Sequence, residues 1–66
     1  MMSEFNSKIR VLLVDDNYDH LMGVRELINM ENDIDVVAAA TNANIALNLI
    51  KKYQPSIVLM DMNMPE

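Results

Sequence analysis

Three carboxylates draw notice by where they fall. Asp15 and Asp16 close a run that is continuously apolar from Val11 to Val14, and Asp61 closes a second such run, Ile57 to Met60. In a parallel sheet all strands end along one edge, and neighbouring strands lie about 4.8 Å apart. Acids that terminate two adjacent strands therefore converge. At an effective dielectric near 20, two unit charges about 4 Å apart repel by about 4 kcal/mol. Such a cluster must take up a proton, spread apart or bind a cation, and hard oxygen donors in an open loop suit magnesium. Taken singly, each aspartate reads equally well as a helix cap or turn former. Two apolar strands that both end in acid, with Pro65 four residues after Asp61, point instead to one shared site.

The elements that must position these acids follow from the apolar pattern. Lys8 to Val14 alternates at first and then becomes continuously apolar, the signature of a strand buried on both faces. Asp15-Asp16-Asn17 breaks it with turn formers and candidate N-caps. From about Tyr18 to Met30, Leu21, Val24, Leu27 and Ile28 recur at helical spacing. Gly23 inside that helix costs about 1 kcal/mol relative to alanine, so tertiary packing has to carry it. Glu31-Asn32-Asp33 is a polar break before a second strand, Ile34 to Ala39. Thr41 or Asn42 can cap a second helix with Ala46, Leu49, Ile50 and Tyr53 on one side. Lys51 and Lys52 suit its carboxyl end, and Pro55 forbids its continuation. Ser56 to Met60 forms a third strand, and Met62 to Glu66 begins a loop. The order β-α-β-α-β with short connections predicts an α/β fold with a parallel sheet.

Composition removes several function classes. Sixty-six residues make one small domain or part of one. The sequence has no cysteine and a single histidine, His20, which excludes disulfides, thiolate metal sites and multi-histidine zinc sites. His20 reads as a solvated side chain early in a helix. Ten acidic against five basic residues give a net charge of −5, a field that repels phosphate backbones and anionic lipid, so no direct nucleic-acid contact is expected. No apolar run reaches the roughly 20 residues of a membrane span, and Met1 to Ser7 lacks the order of a signal peptide. A cytoplasmic location is expected. The apolar share of 52% exceeds what a domain this small normally hides.

The residues also carry a family resemblance. Val11-Leu12-Leu13-Val14-Asp15-Asp16, followed by Ile57-Val58-Leu59-Met60-Asp61-Met62-Asn63-Met64-Pro65, resembles the receiver-domain pattern of two-component response regulators. Ile34-Asp35-Val36-Val37 and the stretch from Ala40 to Leu47 resemble it too, in the manner of regulators with a helix-turn-helix output domain. The resemblance implies a βαβαβ half of a flavodoxin-like doubly wound sheet, strand order 2-1-3, with residues 8–66 as the N-terminal half of a receiver domain and residues 1–7 poorly ordered. It implies that Asp61 accepts a phosphoryl group from a histidine kinase. Asp16 would be a direct Mg2+ ligand, Asp15 a partner acting mostly through a metal-bound water, and Asn63 a ligand through its backbone carbonyl. Ala43 stands where the family often has glycine, a departure confined to the turn before the second helix.

The same resemblance implies parts beyond Glu66: a serine or threonine ending a fourth strand and a lysine ending a fifth. Lys51 and Lys52 sit away from the strand-end edge and do not substitute. The chain is therefore expected to be a truncated module, not an enzyme, and unable to complete stable phosphorylation and signalling. Its third strand would present a bare apolar edge, with a homodimer through that edge as one outcome. Two other readings compete. One is a self-associating half-domain without signalling activity. The other is a phosphatase fragment of haloacid-dehalogenase type, disfavoured because Asn63 occupies the position of that family's general acid.

Overall fold

A computed structural model of the chain describes residues 8–61. The expectations for residues 1–7 and for Met62 to Glu66 lie outside those residues. Five elements follow one another: β1 (Ile9–Val14), α1 (Tyr18–Asn29), β2 (Ile34–Ala40), α2 (Ala43–Tyr53) and β3 (Ile57–Met60). The strands form one parallel sheet in the order β2-β1-β3. That is the α/β architecture and strand order the sequence predicts.

The central position of β1 explains its composition. A strand flanked on both sides and covered on both faces can use apolar residues at consecutive positions, and Val11 to Val14 are all buried. Their side chains alternate between two cores. Val11 and Leu13 pack with Leu21 of α1 and Val36 of β2, whereas Leu12 and Val14 pack with Ala40 and with Ala46 of α2. One helix thus covers each face. Both lie over β1 and β2, and neither packs against β3, whose four residues stay exposed.

The pairing of β2 with β1 carries an irregularity the sequence pattern did not signal. Val11 pairs with Val36 but Leu12 pairs with Ala38, so Val37 is an extra residue in the ladder. An inserted residue reverses the parity of every side chain after it. Ile34 and Val36 consequently join the α1 core, while Ala38 and Ala40 join the α2 core.

The helices begin and end where their residues dictate. Asn17 caps α1, its side-chain oxygen accepting from the His20 N–H at 3.0 Å. Asn42 caps α2 in the same way, accepting from the Ile45 N–H at 2.9 Å. Gln54 closes α2 in the left-handed region (φ 48°, ψ 61°), donating its N–H to the Ile50 carbonyl. The Arg10 guanidinium donates to the Gln54 carbonyl at 3.1 Å, and the Ser56 N–H donates to the Arg10 carbonyl at 2.8 Å. These two bonds tie the entry of β3 to β1. The face of α1 is narrower than its periodicity suggests. Leu21 is buried and Val24 and Ile28 are half-buried, but Leu27 is exposed. At 3.6 residues per turn Leu27 stands about 120° round the helix from Leu21, off the side that meets the sheet.

Candidate functional site

Register brings the acids together. Val14 and Met60 are directly paired on adjacent parallel strands, so the next residues, Asp15 and Asp61, leave the sheet side by side at its carboxyl edge. Backbone bonds hold both: the Asp15 N–H donates to the Ala40 carbonyl and the Asp61 N–H to the Val14 carbonyl, each at 3.0 Å. Asp16 follows at the start of the turn into α1. The three side chains each offer a carboxylate oxygen lying within 4.8 Å of the other two. Burial grades from Asp15, which is buried, through half-buried Asp61 to exposed Asp16.

Asp15 is held through both of its carboxylate oxygens. One carboxylate oxygen, Oδ1, accepts from the Asn17 N–H at 3.0 Å. The other, Oδ2, contacts Nδ1 of His20. An ionised carboxylate can only accept, so Nδ1 carries the proton of this bond. The Asn17 amide and then the His20 ring hold the Asp15 carboxyl below the usual carboxylate range, against an opposing effect of burial. Reciprocally, the hydrogen bond and charge of Asp15 raise His20 above its ordinary value.

His20 is the functional neighbour that sequence reasoning missed. Its ring is exposed, as expected of a residue early in a helix, yet it is not merely solvated: it bonds to the most buried acid of the cluster. Helix side chains tilt toward the N-terminus, and a first-turn residue of α1 therefore leans back over the end of β1. No repeat in the sequence signals this contact, which spans the turn from β1 into α1.

Beside the acids lies an apolar pocket of about 200 Å³ between α1 and β3. Leu13, Leu21, Val24 and Leu59 line it, and Asp15, His20 and Asp61 are its polar members. Hard oxygen donors around an open, partly solvated position fit a divalent cation such as magnesium, which retains several of its waters. The donor set contains no thiolate that would favour a soft metal. Asn63, expected to contribute a backbone carbonyl, lies outside the described residues.

Comparison with known proteins agrees with this architecture. Residues 11–66 match the family model described as the response regulator receiver domain. The chain belongs to that family. Over 60 residues this receiver domain is 37% identical to the transcriptional regulatory protein DegU of Brevibacillus brevis, an alignment covering 91% of the chain and 25% of the relative. Over 59 residues it is 44% identical to the protein-glutamate methylesterase/protein-glutamine glutaminase of Enterobacter cloacae, covering 89% of the chain and 17% of the relative. The enzyme of the same name from Yersinia pestis matches equally well. The chain thus spans a quarter or less of the length of these relatives. What it shares with them is a receiver domain of two-component signal transduction, a regulatory unit carried by a transcriptional regulator in one case and by an enzyme in another. Receiver domains bind Mg2+ at an acidic pocket and are phosphorylated by histidine kinases, and this one has the acid cluster. Among the described residues no helix is long and apolar enough to cross a membrane.

Proposed function

We propose that this receiver domain accepts a phosphoryl group on Asp61 from a histidine kinase, with Mg2+ held by Asp15, Asp16, Asp61 and the backbone carbonyl of Asn63. The observation that carries the reading is the convergence of three carboxylate oxygens within 4.8 Å at the ends of two adjacent parallel strands. Asp61 suits the acceptor role because it is half-buried and follows directly from a paired strand, with its N–H bonded to the Val14 carbonyl. In the transfer, an Asp61 carboxylate oxygen forms a bond to phosphorus as the bond from phosphorus to the donor imidazole nitrogen breaks. The electron pair of that bond stays with the imidazole. A bound divalent ion would offset the repulsion between the attacking carboxylate and the phosphoryl oxygens.

An adduct formed within these residues is expected to be short-lived. Lys8 and Arg10 lie at the amino end of β1, Arg25 lies mid-α1, and Lys51 and Lys52 end α2 away from the acids. None of the five lysines and arginines is placed to pair with a phosphoryl group on Asp61. The module is thus regulatory rather than an enzyme of turnover, works in the cytoplasm, and with its net charge of −5 does not itself contact nucleic acid. The test is incubation with acetyl phosphate and Mg2+, followed by intact-mass measurement over time. A transient gain of one phosphoryl group, abolished by Asp61→Asn, is expected. No adduct at any time would overturn the acceptor assignment, and a persistent adduct would overturn its short lifetime.

A second reading has its own observation. All four β3 residues are exposed, with Ile57, Val58, Leu59 and Met60 each retaining between 37% and 51% of their accessible surface, and β3 is an edge strand. An apolar edge is a template for pairing, and a second copy of β3 laid antiparallel across a two-fold axis would cover it. Sedimentation should show dimer at high concentration; a monomer throughout would dismiss self-association.

A further inference from the structure

We infer that His20 is a positioning residue for the divalent ion: by holding the Asp15 carboxylate in a fixed plane, it sets the ion affinity of the acid cluster. The inference rests on the Mg2+ reading above and concerns a side chain that this reading leaves without a role.

A carboxylate bound through one oxygen can still swing about its Cβ–Cγ bond, whose torsion is broad and soft. Two donors, one on each oxygen, remove that freedom. Asp15 has both: the Asn17 N–H on Oδ1 and the His20 ring on Oδ2. Its side chain is only 7% exposed, so water does not compete strongly for these bonds. The supports are themselves connected. The Asn17 side chain accepts from the His20 N–H, the Asn17 N–H donates to Asp15, and the His20 ring donates to Asp15. Three hydrogen bonds thus close a ring from the end of β1 to the first turn of α1.

The ring leaves room for an ion. Each carboxylate oxygen has two acceptor directions, so one backbone or ring donor on each does not exhaust Asp15, whose carboxylate lies within 4.8 Å of those of Asp16 and Asp61. Carboxylates that bind metals are typically oriented by such outer hydrogen bonds, and losing one costs about 10–100-fold in metal affinity. Without His20, ion binding would have to freeze the Asp15 torsion itself. Any ring state with a proton on Nδ1 serves, so the role depends on the donor at that atom.

Leucine and asparagine separate this role from bulk. They are nearly the same shape, but asparagine keeps an N–H one bond from Cγ, where Nδ1 stands, and leucine does not. The experiment titrates MgCl2 into the 66-residue chain by calorimetry and cross-checks with Mn2+ by electron paramagnetic resonance. Wild type, His20→Leu, His20→Asn and Asp61→Asn are compared, with the thermal midpoint in EDTA and the carboxyl 13C signal of Asp15 recorded for each. His20→Leu should weaken Mg2+ binding about 10–100-fold, and His20→Asn should restore most of it. Both should keep the wild-type sheet and helix content in EDTA, with the Asp15 carboxyl signal displaced in the leucine variant alone. Equal Mg2+ affinity in wild type and His20→Leu would overturn the inference and leave the metal reading standing. So would an equal loss in the leucine and asparagine variants, or tighter binding on losing the ring. Failure of wild type to bind either ion, or binding indifferent to Asp61→Asn, would sink the Mg2+ reading and the inference together.

Discussion

Replacing Gly23 with alanine should stabilise the protein by close to the full helix-propensity difference. Gly23 lies inside α1, in ordinary helical conformation rather than at positive φ. A Cβ built there meets no atom within 4 Å, so no packing penalty offsets the gain. The propensity difference between glycine and alanine in a helix interior is about 0.8–1.0 kcal/mol, and it arises largely from the entropy of the unfolded chain. At about 2.1 cal/mol/K per residue, unfolding 66 residues releases about 0.14 kcal/mol/K, which converts the gain into a rise of about 6–7 °C in midpoint. Thermal unfolding followed by circular dichroism, in EDTA and again with Mg2+, would measure it. The substitution faces solvent three residues after His20, so the increment should be the same with and without the ion. An unchanged or lowered midpoint would refute the reasoning, because it would mean that position 23 is covered or that α1 is not helical there.

Three further outcomes follow from the packing and the site. Leu12 is fully buried under α2, and truncation to alanine should cost about 2–5 kcal/mol; since a chain of this size has only about 3–10 kcal/mol in total, urea titration should find that Leu12→Ala has lost a large share of its stability. Gln54→Gly should stabilise by about 0.5–1 kcal/mol, since glycine avoids the penalty of the left-handed cap at the expense of unfolded-state entropy, as a chemical-denaturation midpoint would show. NMR should find His20 titrating above 6.5 and returning toward that value in Asp15→Asn. The Asp15–His20 pair should contribute most to stability between about pH 4 and 6.5. The contribution of His20, whose value is raised on folding, fades as pH rises through that raised value. The contribution of Asp15, whose value is lowered on folding, fades as pH falls through that lowered value. Urea titrations of wild type and His20→Leu across pH would test this, and a constant difference between them would contradict it.

The sequence by itself determined which segments become strands and helices, because those choices rest on local chemistry. Val11 to Val14 fitted a doubly covered strand, Asp15-Asp16-Asn17 and Thr41 or Asn42 offered caps, and Pro55 had to end α2. It placed Asp15, Asp16 and Asp61 at strand ends that share one edge of a parallel sheet, while the adjacency of β1 and β3 and the register of Val14 with Met60 came from the tertiary structure. Tertiary structure alone decided the remainder. The extra residue at Val37 moves Ala38 and Ala40 onto the α2 side of the sheet, and no periodicity in Ile34 to Ala40 announces it. Which side of α1 meets the sheet was settled by packing, and Leu27, about 120° round from Leu21, fell outside it. The bond from His20 to Asp15 spans five residues across a strand-to-helix turn, where neither the two-residue nor the 3.6-residue repeat applies. Only the path of that turn brings the ring onto the acid.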